Sequence, residues 1–184
     1  PLQDAQRASR IVRKRNGAGK LIVLGFSAGG HLAGSLAQRF DSAIYPAGDS
    51  IDGLSCRPDL VALVYPVTLM GSPLTHQGSQ ERLLGKTAAT ADLIKYDLTK
   101  APNPKGPKTF LVHALDDEAV PYENSLQLAL AYRATGVSSV LHSFETGGHG
   151  FGLRGIETRP VAAWPRLLMA WIEAQPNNYR PDTL

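Results

Sequence analysis

Four short strand-like segments, each followed by a stretch with helical periodicity, constrain this chain more than any other feature. They cover residues 21–25 and 60–67 (LVALVYPV), which are apolar and read as buried strands, and 108–115 and 140–145, which read as a third and a fourth strand. Helical patterns cover residues 28–40, with Leu32, Leu36 and Phe40 on one stripe, and 123–135, stopped by Gly136. Another covers 164–173, carrying Leu167, Leu168, Trp171 and Ile172. Shorter helices are expected near 80–84 and 89–96. One more helix precedes the first strand, where Leu2, Ala5, Ala8 and Ile11 or Val12 recur at helical spacing up to Asn16-Gly17. Strand–helix alternation predicts an α/β fold: a parallel sheet of four strands between helices on both faces, in three layers. Ligands of such sheets sit at the carboxyl ends of the strands. A length of 184 residues and a hydrophobic share of 43% suit one domain over 1–184. The mixed region 68–107 is a possible cap or wall of a substrate pocket.

Charge and composition remove several function classes. A net charge of +3 is too mild to argue for nucleic acid. The early basic residues Arg7, Arg10, Arg13, Lys14 and Arg15 carry no interleaved aromatics and read as a solvated helix face. Cys56 is the single cysteine, so no internal disulfide exists. No apolar run approaches the ~18 residues of a membrane span. The opening PLQDAQRASRIVRKR is not a signal peptide. It begins without Met and inside a helical pattern, so an upstream segment is expected.

Gly25-Phe26-Ser27-Ala28-Gly29 fits G-x-S-x-G and lies between a strand and a helix, the context this motif requires. A sharp strand-to-helix turn strains the Ser backbone and lifts its hydroxyl clear of the sheet. Side chains two before and two after would collide, which explains Gly25 and Gly29. The Ala28 amide at the helix N-terminus can face a developing oxyanion. The plain alternative is a glycine-rich turn with Ser27 as a cap.

A Ser hydroxyl needs a base, and the base needs a carboxylate to orient it. HALDDEAVPYENS, past the third strand, offers Asp116 and Asp117. ETGGHGFGL, past the fourth, offers His149 between Gly148 and Gly150. Asp117 is favoured because it stands further beyond the strand and opens the D-x-x-V-P run; Asp116 would then bond loop amides. His31 suits helix packing, His113 a partnered place in the core, and His76 and His142 have no supporting context. No residues show metal-ligand spacing and no glycine pair completes a nucleotide fingerprint, so neither metal nor cofactor is expected. Trp164 and Trp171 read as core.

GFSAGGHLAG, RPDLVALVYPV, FLVHALDDEAVPYENS and FETGGHGFGL, taken in order, resemble the α/β-hydrolase esterases, and among them the acetylxylan-esterase-like carbohydrate esterases related to the hormone-sensitive-lipase group. The resemblance runs from about Pro1 to Trp171. It implies Ser27 as nucleophile, Asp117 as acid, His149 as base and a short acyl ester or acetylated sugar as substrate. It also implies an H-G-G-G-like oxyanion segment after an earlier strand, and none precedes Ser27. The strand at 21–25 matches the fifth of the family sheet, so it is expected as an uncovered edge. A missing amino-terminal segment or a homo-oligomer would cover it. The rival functions are a serine peptidase of the prolyl-oligopeptidase type and an inactive hydrolase fragment.

Overall fold

A computed structural model describes residues 1–17 and 19–176; residue 18 and the last eight residues of the expected domain lie outside the described residues. Strands β1 (Ile22–Phe26), β2 (Leu60–Val64), β3 (Lys108–Ala114) and β4 (Ser139–Phe144) form one parallel sheet in chain order. All five residues of β2 are buried, as a strand covered on both faces requires. Alternate side chains serve opposite layers. Val61, Leu63 and Leu111 pack with Ala33 and Ala37 of α2 (Ser27–Arg39) and Leu128 and Tyr132 of α5 (Glu123–Thr135). Ala62, Val64, Phe110 and Val112 pack with Trp164 and Leu168 of α6 (Trp164–Glu173). Helices α3 (Gln77–Leu84) and α4 (Thr90–Tyr96) lie in the connection from β2 to β3. Among the described residues no helix is long and apolar enough to cross a membrane.

The second strand is shorter than its apolar run. It ends at Val64 because Tyr65 enters the left-handed region (φ 39°) and Pro66 has no N–H for the ladder. The stripe on α2 also differs. Leu36 is buried, but Leu32 and Phe40 are only half-buried, and the sheet-facing side is Gly30, Ala33, Gly34 and Ala37. Small side chains there let the helix backbone approach β1 and β2 closely.

Helix α1 (Leu2–Asn16) departs furthest from its sequence pattern. Its buried residues are Gln6, Ser9 and Arg13, not the expected apolar stripe. The reason is the surface it meets, a polar loop folded back over it. Gln6 Nε2 donates to the carbonyls of Arg39 (2.7 Å) and Ser42 (3.1 Å). Most of the basic cluster is likewise bound rather than solvated. Arg7 pairs both oxygens of Asp49 at 2.8 and 2.7 Å, and Asp52 at 2.9 Å. Arg10 donates to the Leu54 carbonyl and the Tyr45 hydroxyl, and Arg13 to Asp59 and the Arg57 carbonyl. Lys14 and Arg15 are exposed.

Among the described residues β1 pairs only with β2. Its Ile22 and Leu24 are 38% and 44% exposed, and a groove lined by Ala5, Leu24, Phe26, Leu32 and Leu36 follows this open edge.

Candidate active site

The strand-to-helix corner starts with a steric fact at Gly25. A Cβ there would lie 2.4 Å from the Gly29 carbonyl oxygen and 2.7 Å from the Ala33 Cβ. Only glycine lets β1 hand over to α2 this tightly. Gly29 is different from the expectation: a Cβ there would meet nothing within 4 Å, and the crowding at the corner comes from its backbone instead. The second steric requirement falls on Gly30, where a Cβ would come within 2.7 Å of the Pro66 side chain.

Ser27, the first residue of α2, has φ 52°. This left-handed conformation is costly for a non-glycine residue, by about 1–3 kcal/mol, and survives only where its surroundings enforce it. One restraint is the Val67 N–H, which donates to the Ser27 carbonyl at 3.1 Å. The corner thus leans on the loop after β2 and points the Ser27 hydroxyl away from the sheet. Ala28, next in α2, is exposed, and its amide is among the first-turn N–H groups that lack an intrahelical acceptor.

His149 lies beyond β4, between Gly148 (φ 62°) and Gly150 (φ 75°). Its Nε2 is 2.9 Å from the Ser27 Oγ, and its Nδ1 is 2.7 Å from the Asp117 Oδ2. A carboxylate at Nδ1 places the ring proton there, so Nε2 accepts from the Ser27 hydroxyl. Three residues that follow three different strands therefore form one hydrogen-bonded chain at the carboxyl edge of the sheet.

The two neighbouring aspartates have separate tasks. Asp116 is exposed, and its Oδ1 accepts from the amides of Gly147 (2.8 Å) and Gly148 (2.7 Å), gripping the loop that carries His149. The Asp117 side chain is fully buried. Its Oδ1 accepts from the amides of Ala119 (3.0 Å) and Val120 (2.9 Å), and its Oδ2 from His149 and, at 3.1 Å, from His113. Burial alone would raise this carboxyl. The hydrogen bonds from His113, the Val120 amide and His149 outweigh it and lower the group to about 2. Asp117 is therefore ionised throughout the neutral range.

Two contacts at the site had no signal in the sequence. The Tyr65 ring packs 4.8 Å from the His149 imidazole and, edge to face, 4.6 Å from Phe151. The donation from His113 to Asp117 is the other. The remaining histidines stay apart: His31 bonds the Tyr96 carbonyl at 2.8 Å, His76 caps α3, and His142 packs on Phe110. A cleft of about 440 Å³ opens beside Ala28 and Gly29, walled by His31, Leu32, Met70, Arg82, Leu83 and Tyr96.

Comparisons with known proteins place the chain in a family. A family model described as "Prolyl oligopeptidase family" matches residues 2–177. The chain belongs to the prolyl oligopeptidase family. Proteins similar to it include an endo-1,4-beta-xylanase B of Butyrivibrio fibrisolvens, 37% identical over 82% of this chain and 24% of its own length. An acetylxylan esterase of Xylanibacter ruminicola is 28% identical over 83% of this chain and 31% of its own. Among solved structures, an acetyl ester-xyloside bifunctional hydrolase from Caldicellulosiruptor lactoaceticus superposes with a TM-score of 0.86 at 40% identity, covering 94% of this chain and 65% of that one. The chain thus spans under a third of these curated relatives and about two thirds of that solved one.

Proposed function

We propose that this chain carries the Ser-His-Asp machinery of a serine carboxylic-ester hydrolase that works through an acyl-enzyme. Ser27 Oγ attacks the ester carbonyl carbon while His149 Nε2 takes the hydroxyl proton. As the tetrahedral adduct collapses, the C–O bond to the alcohol breaks and His149 returns the proton to the leaving oxygen. Water, deprotonated by the same imidazole, then attacks the acyl carbon and releases the acid. Asp117 holds the imidazole tautomer and balances its charge in the transition state. The Ala28 amide donates to the oxyanion. No metal or cofactor enters any step. The observation that carries this reading is the unbroken chain from Ser27 Oγ through His149 to a buried, ionised Asp117.

The proposed substrate is a short acyl ester, with acetyl groups on a xylan-type sugar as the natural class. Support comes from the acetyl-ester and acetylxylan names of the relatives, the solved one at 40% identity. The region 68–107 serves as a pocket wall in this reading, since Met70, Ser79, Arg82, Leu83 and Tyr96 line the cleft next to Ala28. A partner segment, from an amino-terminal part of the protein or from a second copy, covers the open edge of β1.

The family's own description favours one second reading, a serine peptidase. Both use the same residues, so the substrate separates them. A panel of acetyl esters, acetylated xylo-oligosaccharides and proline-containing peptides should show hydrolysis of the esters, lost in Ser27→Ala. Peptide cleavage with no ester cleavage would reverse the assignment.

A further inference from the structure

His113 is a fully buried imidazole that the proposed mechanism leaves without a task. It lies on β3, four residues before Asp117, and all its polar contacts are defined. Nε2 faces two acceptors, the Val120 carbonyl at 2.9 Å and Asp117 Oδ2 at 3.1 Å. A nitrogen between a carbonyl and a carboxylate must carry a proton. Nδ1 faces the Ser125 Oγ at 2.7 Å, near the start of α5, so in the neutral ring the serine hydroxyl donates to it. The Tyr122 ring closes the site edge-on, 5.9 Å away.

We propose that His113 is a positioning residue: its Nε2–H, fixed by the two acceptors that face it while Ser125 holds the other ring nitrogen, donates to the same carboxylate oxygen that orients His149. The inference rests on the esterase reading for its functional meaning, though its geometry does not depend on it. A carboxylate has about four lone-pair sites. In Asp117 the two amides occupy Oδ1 and the two imidazoles occupy Oδ2. Every site is filled, so the carboxylate cannot rotate away from His149 without losing a bond in a place that water does not reach. His113 also shares the negative charge of Oδ2, which moderates its pull on the His149 proton. The chain Ser125–His113–Asp117–His149–Ser27 ties the hydroxyl at one corner of the sheet to a helix at another.

The plain alternative is a core histidine satisfied by the Val120 carbonyl and Ser125, with Asp117 merely near it. Three variants of the whole chain separate the two: His113→Leu removes the donor, His113→Gln keeps an N–H near the Nε2 position, and Ser125→Ala removes the hydroxyl that holds the ring at Nδ1. Hydrolysis of p-nitrophenyl acetate gives kcat and KM. Proton spectra of protein with 15N-labelled histidine report the His149 Nδ1–H directly, active or not. His113→Leu should lower kcat about tenfold, as a loosened reacting geometry does, with KM within twofold and the His149 Nδ1–H resonance displaced. His113→Gln should restore at least half of the wild-type kcat and the wild-type resonance. Ser125→Ala should displace the same resonance by less. An unmoved His149 resonance with kcat within twofold, in folded His113→Leu, overturns the proposal. If that variant does not fold, an unmoved resonance in Ser125→Ala overturns it equally. Wild-type protein that cleaves no ester while its His149 resonance responds to position 113 would sink the esterase reading and leave this inference standing.

Discussion

Ser27 holds a backbone conformation that side chains avoid, and the residues that force it there are a glycine two before and a proline-bearing loop across the sheet. The motif around it was legible because G-x-S-x-G needs only local spacing. Which glycine matters was not legible, because that depends on what the missing Cβ would touch. Gly25→Ala should destabilise the fold by about 1–3 kcal/mol through overpacking. Gly29→Ala should be neutral or gain up to about 1 kcal/mol of helix propensity. Thermal unfolding of the two variants measures the contrast, and equal losses would contradict it. The paired aspartates make a second contrast. In Asp116→Asn the amide oxygen can still accept from Gly147 and Gly148, so kcat should stay within about threefold of wild type. In Asp117→Asn the imidazole loses the anion that sets its tautomer, and kcat should fall about 10³-fold or more. Steady-state ester hydrolysis tests this, and the opposite ranking would move the acid to Asp116. His113 and Tyr65 escaped the sequence reading for one physical reason. Their task is set by partners that only the folded sheet brings within reach.

Strand β2, buried on both faces, is apolar throughout, and the start of each strand in the structure falls within one residue of the segment that sequence periodicity marked. The end of β2 does not, because Tyr65 turns away while still being buried. Helix α1 shows the opposite limit. Periodicity assumes that a helix docks by its apolar side, but α1 docks on a polar loop through partners 33 to 46 residues away. No local window contains that information. The energetic weight should follow burial. Arg13, whose side chain is 6% exposed, should cost about 2–3 kcal/mol when changed to Ala, because the half-buried Asp59 loses its charged partner and is left with the Leu21 amide, and the Arg57 carbonyl loses its donor. Arg7→Ala should cost less, because Asp52 keeps the Tyr45 hydroxyl and the Gly48 amide as donors and Asp49 is about half exposed, and the Asp49 part of its effect should fade as salt screens that pair. Urea unfolding at low and high salt distinguishes the two; equal, salt-independent losses would contradict the account.

At the scale of the molecule, sheet and helices serve to bring three chain-distant residues to one rim, and that arrangement feeds back on stability. The Asp117 carboxyl stands at about 2 in the fold against an ordinary 3.8. A group held lower in the folded than in the unfolded chain stabilises the fold above the unfolded value and stops doing so as pH falls through the folded one. The difference is worth on the order of 2 kcal/mol, present above about pH 4 and lost on the way down to about pH 2. Asp117→Asn should therefore show a shallower loss of urea midpoint across that window than wild type, and parallel curves would contradict the linkage. The α/β class, the four strands and their parallel direction were readable from alternation; their order in the sheet was not, because alternation does not say which strands pair. The groove along β1 was readable only as an open edge, since its lining joins β1 to residues of α1 and α2.

The central claim is that His149 activates the Ser27 hydroxyl. Intact-mass analysis after treatment with a fluorophosphonate probe, followed by peptide mapping, measures this without assuming a substrate. The account predicts one adduct per chain, on Ser27, and labelling slowed by orders of magnitude in folded His149→Ala. No adduct on folded wild-type protein, or labelling of Ser27 at the same rate without the imidazole, would contradict it.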